Sequence, residues 1–177
     1  MAPLLPFLEQ NAVHQSIDFE EAWDDESNER PAEIRIPTYL NPGSVASPLG
    51  PAETHYVGIA GVGKDAAMLP MTSNRAGVFG YNRKTRIRDI TDGTSNTMMV
   101  SEATGDCGPW IAGGNATLRA LTQNPYINGS DGIGGPYRGD CNVAFADGSV
   151  RFVSENIDPT TFERLASMAD GQVVGEF

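Results

Sequence analysis

Asn142-Val143-Ala144-Phe145-Ala146-Asp147-Gly148-Ser149-Val150-Arg151-Phe152-Val153 is the stretch on which the fold turns. Asp147-Gly148 stands between two runs of alternating apolar residues, and such a pair suits a type I′ hairpin turn because both central positions need φ > 0. A two-residue loop there sets Ala146 against Ser149, Phe145 against Val150, Ala144 against Arg151 and Val143 against Phe152. Opposed residues share a face of the sheet. This register predicts one apolar patch of Val143, Phe145, Val150 and Phe152, with Ala144 and Arg151 turned away. The cover for that patch follows directly: Asp158 as N-cap, Pro159 at the first helical position, then Phe162, Leu165, Ala166 and Ala169 at helical spacing up to Gly171.

Upstream, Asp92-Gly93-Thr94-Ser95-Asn96-Thr97 is a dense turn signal feeding Met98-Met99-Val100, which reads as a buried strand ending at Ser101-Glu102. The side chains of Asp92, Thr94, Ser95 and Asn96 all suit bonds to nearby backbone, which makes a rigid turn; a ligand loop is the alternative. Residues 54–60 read as a further strand. The following Gly61-Val62-Gly63-Lys64 fails the phosphate-loop spacing. Residues 34–40 alternate like a strand that Pro37 confines to an edge, and residues 41–51 read as a loop. Residues 108–138 form a Gly-, Asn- and Pro-rich connection with Trp110, Tyr126 and Tyr137 as its large anchors. At the start, residues 4–19 predict a short amphipathic helix beginning near Pro6, with Leu5, Leu8, Ala12 and Val13 inward. Leu4, Leu5 and Leu8 make this opening an apolar edge suited to self-association or a protein partner.

A chain of 177 residues with 40% hydrophobic content is long enough for one domain with a core, here taken as 1–177, and its 20 Gly and 12 Pro favour short strands and loops. A net charge of −11 repels phosphate backbones, which excludes nucleic acid as a partner. Much of it is local. Asp18, Glu20, Glu21, Asp24, Asp25, Glu26, Glu29 and Glu33 face only Arg30 within residues 18–33, a run expected to be solvated and loosely ordered. The basic segment Arg83, Lys84, Arg86 and Arg88 is set to pair with that run or, as the alternative, with a partner. Cys107 and Cys141 lack zinc-site spacing, and one bridge or two free buried thiols are both open. No stretch approaches 18 apolar residues, so no membrane span is expected in this chain.

Three separated stretches resemble a known family: Pro6-Phe7-Leu8-Glu9-Gln10, then Asp89-Ile90-Thr91-Asp92-Gly93-Thr94-Ser95-Asn96-Thr97, then Asn142 through Phe152 of the stretch quoted first. In order and spacing they are similar to domain of unknown function 1559, a large bacterial family abundant in planctomycetes whose members look like type II secretion pseudopilins. The resemblance implies Asp92, Gly93, Asn96, Asp147 and Gly148 as structural motif residues. It also implies an extracytoplasmic setting in the cell envelope or outside it. The family carries a prepilin helix ahead of this domain, and none stands in these 177 residues. Its terminal signature is a His, nine residues, then Asp-Gly; here Tyr137 holds the His place, and Asn41-Pro42 stands where the family often has Cys-Pro. Pseudopilins commonly bind calcium, and Asp131, Asp140 and Asp147 in Gly-rich surroundings are oxygen ligands of the type a hard cation takes.

Catalysis has little to work with. His14 and His55 are the two histidines, and neither a nucleophile elbow nor a singled-out carboxylate pair accompanies them. The expectation is therefore an α+β domain, an antiparallel sheet with short helices at both chain ends, acting as a non-catalytic structural or assembly subunit of a pseudopilin-like system. The alternative is a carbohydrate- or surface-binding module that presents Trp110, Tyr126 and Tyr137.

Overall fold

Five strands form one mixed sheet in the order β3-β1-β2-β4-β5: β1 (Tyr56–Val62), β2 (Met98–Glu102), β3 (Leu118–Leu121), β4 (Asp140–Phe145) and β5 (Val150–Ser154). The computed structural model describes residues 1–44, 52–137, 139–175 and 177; most of the loop expected at 41–51 lies outside them. Pairing is antiparallel for β1–β2, β2–β4 and β4–β5 and parallel for β1–β3. The antiparallel sheet of the expected α+β fold thus stands, with β3 added from inside what reads as a long connection. Leu118 to Leu121 is only four residues long, and its burial alternates as a strand's should.

The hairpin forms in another register. Ala144 faces Val150, Val143 faces Arg151 and Asn142 faces Phe152. Gly148 N–H donates to the Phe145 carbonyl and Phe145 N–H to the Ser149 carbonyl at 2.8 Å, so the loop holds three residues, closed by Gly148 at φ 85°. A one-residue slip exchanges the faces of one strand against the other. Val143 and Phe145 are buried while Val150 and Phe152 point outward, Phe152 with 72% of its surface exposed. The single four-residue patch is therefore split, and Arg151 instead lies over the Phe145 ring at 4.7 Å.

Helix α3 (Pro159–Ala166) covers the inner face as expected, with Asp158 capping Thr161 N–H at 2.9 Å, although it ends at Ala166 rather than running to Gly171. Phe162 and Leu165 are fully buried with Phe145, Val143, Cys141 and Ile59. Each such large side chain contributes about 1.5–3 kcal/mol by leaving water. A second cluster gathers Leu5, Val13, Ile36, Tyr39 and Trp110.

The chain's opening is not one helix. A 3-10 helix, Ala2–Leu8, is cut off by Glu9 in the left-handed region (φ 60°), and α1 (Asn11–Gln15) follows. Leu5 and Val13 face inward as expected, but Ala12 is exposed. Residues 34–40 hold a 3-10 turn, Pro37–Tyr39, where an edge strand was expected, because Pro37 starts the turn and donates nothing to a ladder. The acidic run, expected to be loosely ordered, folds round Asn28: its side chain donates to the Asp18 and Ala22 carbonyls and accepts Asp18 N–H, and α2 (Glu29–Ala32) follows. The expected pairing with the basic segment does not form. Arg83 instead donates to the carbonyls of Ala60, Ala66, Leu69, Gly77 and Phe79, and Arg88 lies 3.9 Å from its neighbour Asp89.

Candidate functional site

A cluster of bonded polar side chains stands at each end of β2. At its start, residues 92–97 meet the hairpin loop and the turn after α3. Ala146 N–H donates to the Thr97 carbonyl at 2.9 Å and Asp147 N–H to the Thr94 carbonyl at 3.1 Å. The Asp92 carboxylate receives Asp170 N–H at 2.6 Å and Gly171 N–H at 2.9 Å, and Asp147 receives Ser149 N–H and its hydroxyl. Asn96 and Thr97 turn back to the Asp92 and Gly93 carbonyls. Every one of these bonds is internal, so the Asp-Gly-Thr-Ser-Asn-Thr and Asp-Gly motifs make a joint between segments far apart in sequence.

At the other end of β2, Glu102 is 6% exposed and accepts Asn41 Nδ2–H at 2.6 Å, Asn142 N–H at 2.7 Å and Asn142 Nδ2–H at 3.0 Å. Asn41 N–H donates to His55 Nδ1 at 3.0 Å, which leaves the ring proton on Nε2, and Nε2 stands 3.2 Å from Glu53 Oε1. Beside this chain of bonds an open cleft of about 480 Å³ is lined by Gly43, Ser44, Glu53, His55, Thr104 and Cys107 together with Gly135 and Pro136. That volume lies within the range of about 300–1,000 Å³ usual for small-molecule sites. Gly135 is required by space: a Cβ there would lie 2.9 Å from the Asp140 carbonyl oxygen and 3.0 Å from Glu102 Oε2, so the carboxylate sits behind this part of the cleft wall. Burial pushes the Cys107 thiol up, Glu53 and Asp106 push it further, and Arg119 opposes them. A raised thiol is a poor nucleophile at neutral pH.

Residues 1–110 and 105–160 match the family described as Protein of unknown function (DUF1559). The chain belongs to that family. No curated protein and no solved structure matches it. The segments 92–97 and 142–152, which carry the resemblance, hold the joint at the start of β2, and Tyr137 falls at the opposite end. Tyr137 is 73% exposed and packs with Pro136 against Gly43, where a Cβ would come within 3.0 Å of its ring.

The three aromatic residues of the binding alternative separate. Trp110 is fully buried, donating from Nε1 to the Ile34 carbonyl at 2.7 Å, and is thus a core anchor rather than a ligand platform. Tyr126 stacks on Phe162 and bonds Glu163 through its hydroxyl, which with burial pushes its pKa up to about 12. Tyr137 alone stands at a cleft.

The calcium set is likewise dispersed. Asp131 caps Thr122 and Gln123, Asp147 holds the hairpin loop, and Asp140 is exposed at the head of β4. Among the described residues no group of three or more His, Cys, Asp or Glu is placed to hold a metal ion. Both cysteines are free thiols. No described helix is long and apolar enough to cross a membrane. Of the expected apolar edge, Leu5 is buried, Leu8 is half-buried, and Leu4 is exposed together with Phe7.

The cleft and the hydrogen-bond network behind it escape a reading of the sequence because their residues are scattered. Asn41, Glu53, Glu102 and Asn142 come from four separate segments with no spacing rule among them. The one usable signal is a Glu at the end of an otherwise apolar strand, which marks a buried charge that must find partners.

Proposed function

We propose that this DUF1559 protein is a non-catalytic assembly subunit of a pseudopilin-like envelope system, docking through the surface of its opening 3-10 helix. The observation that carries the reading is Phe7, 85% exposed, three residues from Leu4 at 46%. Residues three apart eclipse on a 3-10 helix. The segment beneath is anchored by Leu5, Val13 and Trp110, so the exposed pair is held in place rather than trailing. A non-catalytic role agrees with the occupied His55: Nδ1 takes Asn41 N–H and Nε2 faces Glu53, which leaves no ring nitrogen for a nucleophile.

Sedimentation velocity over a range of concentrations tests this. Wild-type protein should associate, and Phe7→Ser should weaken association about ten-fold or more, the loss expected when one large apolar side chain no longer leaves water. A wild type that stays monomeric throughout would overturn the reading.

A second reading, a carbohydrate-binding module, draws support from Tyr137 beside the polar cleft. It places an aromatic face next to hydroxyl, carboxylate and thiol groups, which is the mixture a sugar's apolar and polar edges need.

A further inference from the structure

We infer that the cleft at the end of β2 selects an amine-bearing sugar, a hexosamine with its ammonium free, over neutral sugars. The inference rests on the binding-module reading and adds the ligand's charge. One carboxylate lines the cleft and a second is buried behind its wall. Glu53 lies in its wall with its side chain 19% exposed and only Oε1 engaged, by an imidazole. Glu102 lies directly behind Gly135 and is bonded by amide donors alone. Among the described residues no Lys or Arg forms an ion pair with either. Arg119, whose charge reaches Cys107 in the lining, is buried and turned to the Gly105 and Asp106 carbonyls, and Asp106 opposes its effect there.

Carboxylates lining a partly desolvated volume attract a cation more strongly than they would in water, and a bond between two charged groups is stronger than one to a neutral hydroxyl. Other groups at the site suit the rest of a sugar: the Ser44 and Thr104 hydroxyls in the lining and the exposed Tyr137 ring, which packs against Gly43 of the lining. An ammonium reaching Glu53 beside a ring face resting on Tyr137 satisfies both chemistries. Glu53 Oε2 is the atom assigned to the ammonium.

Calorimetric titration of the full chain at low salt with glucosamine, N-acetylglucosamine and glucose tests the inference. Glucosamine should bind about ten-fold more tightly than the other two, the ratio expected between a charge-assisted and a neutral bond. Glu53→Gln, which keeps an oxygen for His55, should abolish that preference without moving the unfolding midpoint. Tyr137→Ala should weaken all three sugars together. Equal binding of the three would overturn the charge selection and leave the binding module standing. Absence of binding by any of them at millimolar concentration would overturn both.

Discussion

β2 connects two polar regions that use the same residue types to opposite ends. At its start Asp92 faces the N–H groups of Asp170 and Gly171, Asp147 faces those of Ser149, and the bonds close three distant segments on one another. At its finish Glu102 is held by Asn41 and Asn142, Glu53 is engaged on one oxygen, and open volume lies alongside. A carboxylate saturated by the chain's own backbone makes a joint. A carboxylate with an unused oxygen beside a cleft makes a site. In this chain the contiguous Asp92 to Thr97 and Asp147-Gly148 segments belong to the first kind of region, so their side chains close the fold.

The sharpest way to break that comparison is Glu102→Ala. It releases three donors, the buried Asn41 amide and the partly buried Asn142 amide and N–H, and should cost about 3 kcal/mol. Urea unfolding with an unchanged midpoint would mean that the amides find other partners and that the cleft wall is not built on this residue. Asp92→Ala tests the joint in the same way. Asp92 is half-buried, so the two N–H groups it frees reach solvent more readily, and the expected loss is smaller, about 1–2 kcal/mol. A cost exceeding that of Glu102→Ala would reverse the ranking of the two regions.

The two regions also differ in how far the sequence reveals them. The joint is legible because its residues are contiguous: the Asp92 to Thr97 turn, the Asp147-Gly148 loop and the Asp158-Pro159 helix start each announce themselves within a few residues, through local side-chain bonds and positive-φ needs. What those signals do not reveal is register. Asp-Gly fits a two-residue loop and also a three-residue loop whose glycine takes the left-handed place, and the alternatives differ by the one residue that decides whether Phe152 is inside or outside. Strand β3 escapes for a related reason, since four residues inside a Gly-rich connection carry too short an alternation to stand out. The cleft and the network behind it are illegible because Asn41, Glu53, Glu102 and Asn142 meet only once the chain has folded. Trp110 is the converse case: an aromatic residue in a loop reads as either a core anchor or an available surface, and the Ile34 carbonyl and the second cluster around it make it core.

The smallest effect distinguishes the two thiols, one beside the cleft and one under α3. Cys141 is buried in the main core with Ser101 Oγ 3.9 Å from its sulfur, and burial pushes its pKa up to about 12. In the unfolded chain a thiol titrates near 8.5, so above that pH the unfolded state holds fewer protons than the folded one and stability falls as pH rises. The penalty grows by roughly 1.4 kcal/mol for each pH unit beyond about 8.5, until the folded thiol itself ionises. Tyr39 and Tyr126, both raised by burial, add a loss of the same sign at higher pH. Comparison with Cys141→Ala removes that common background: urea midpoints measured between pH 8 and pH 10 should fall more steeply for the wild type than for the variant. Cys107, half-buried at the edge of the cleft, should accept iodoacetamide in the native protein slowly and only at alkaline pH, while Cys141 should react only after unfolding. Parallel stability curves together with equal labelling of both thiols would place Cys141 outside the core and with it undo the packing of β4 against α3, on which the position of Glu102's partner Asn142 depends.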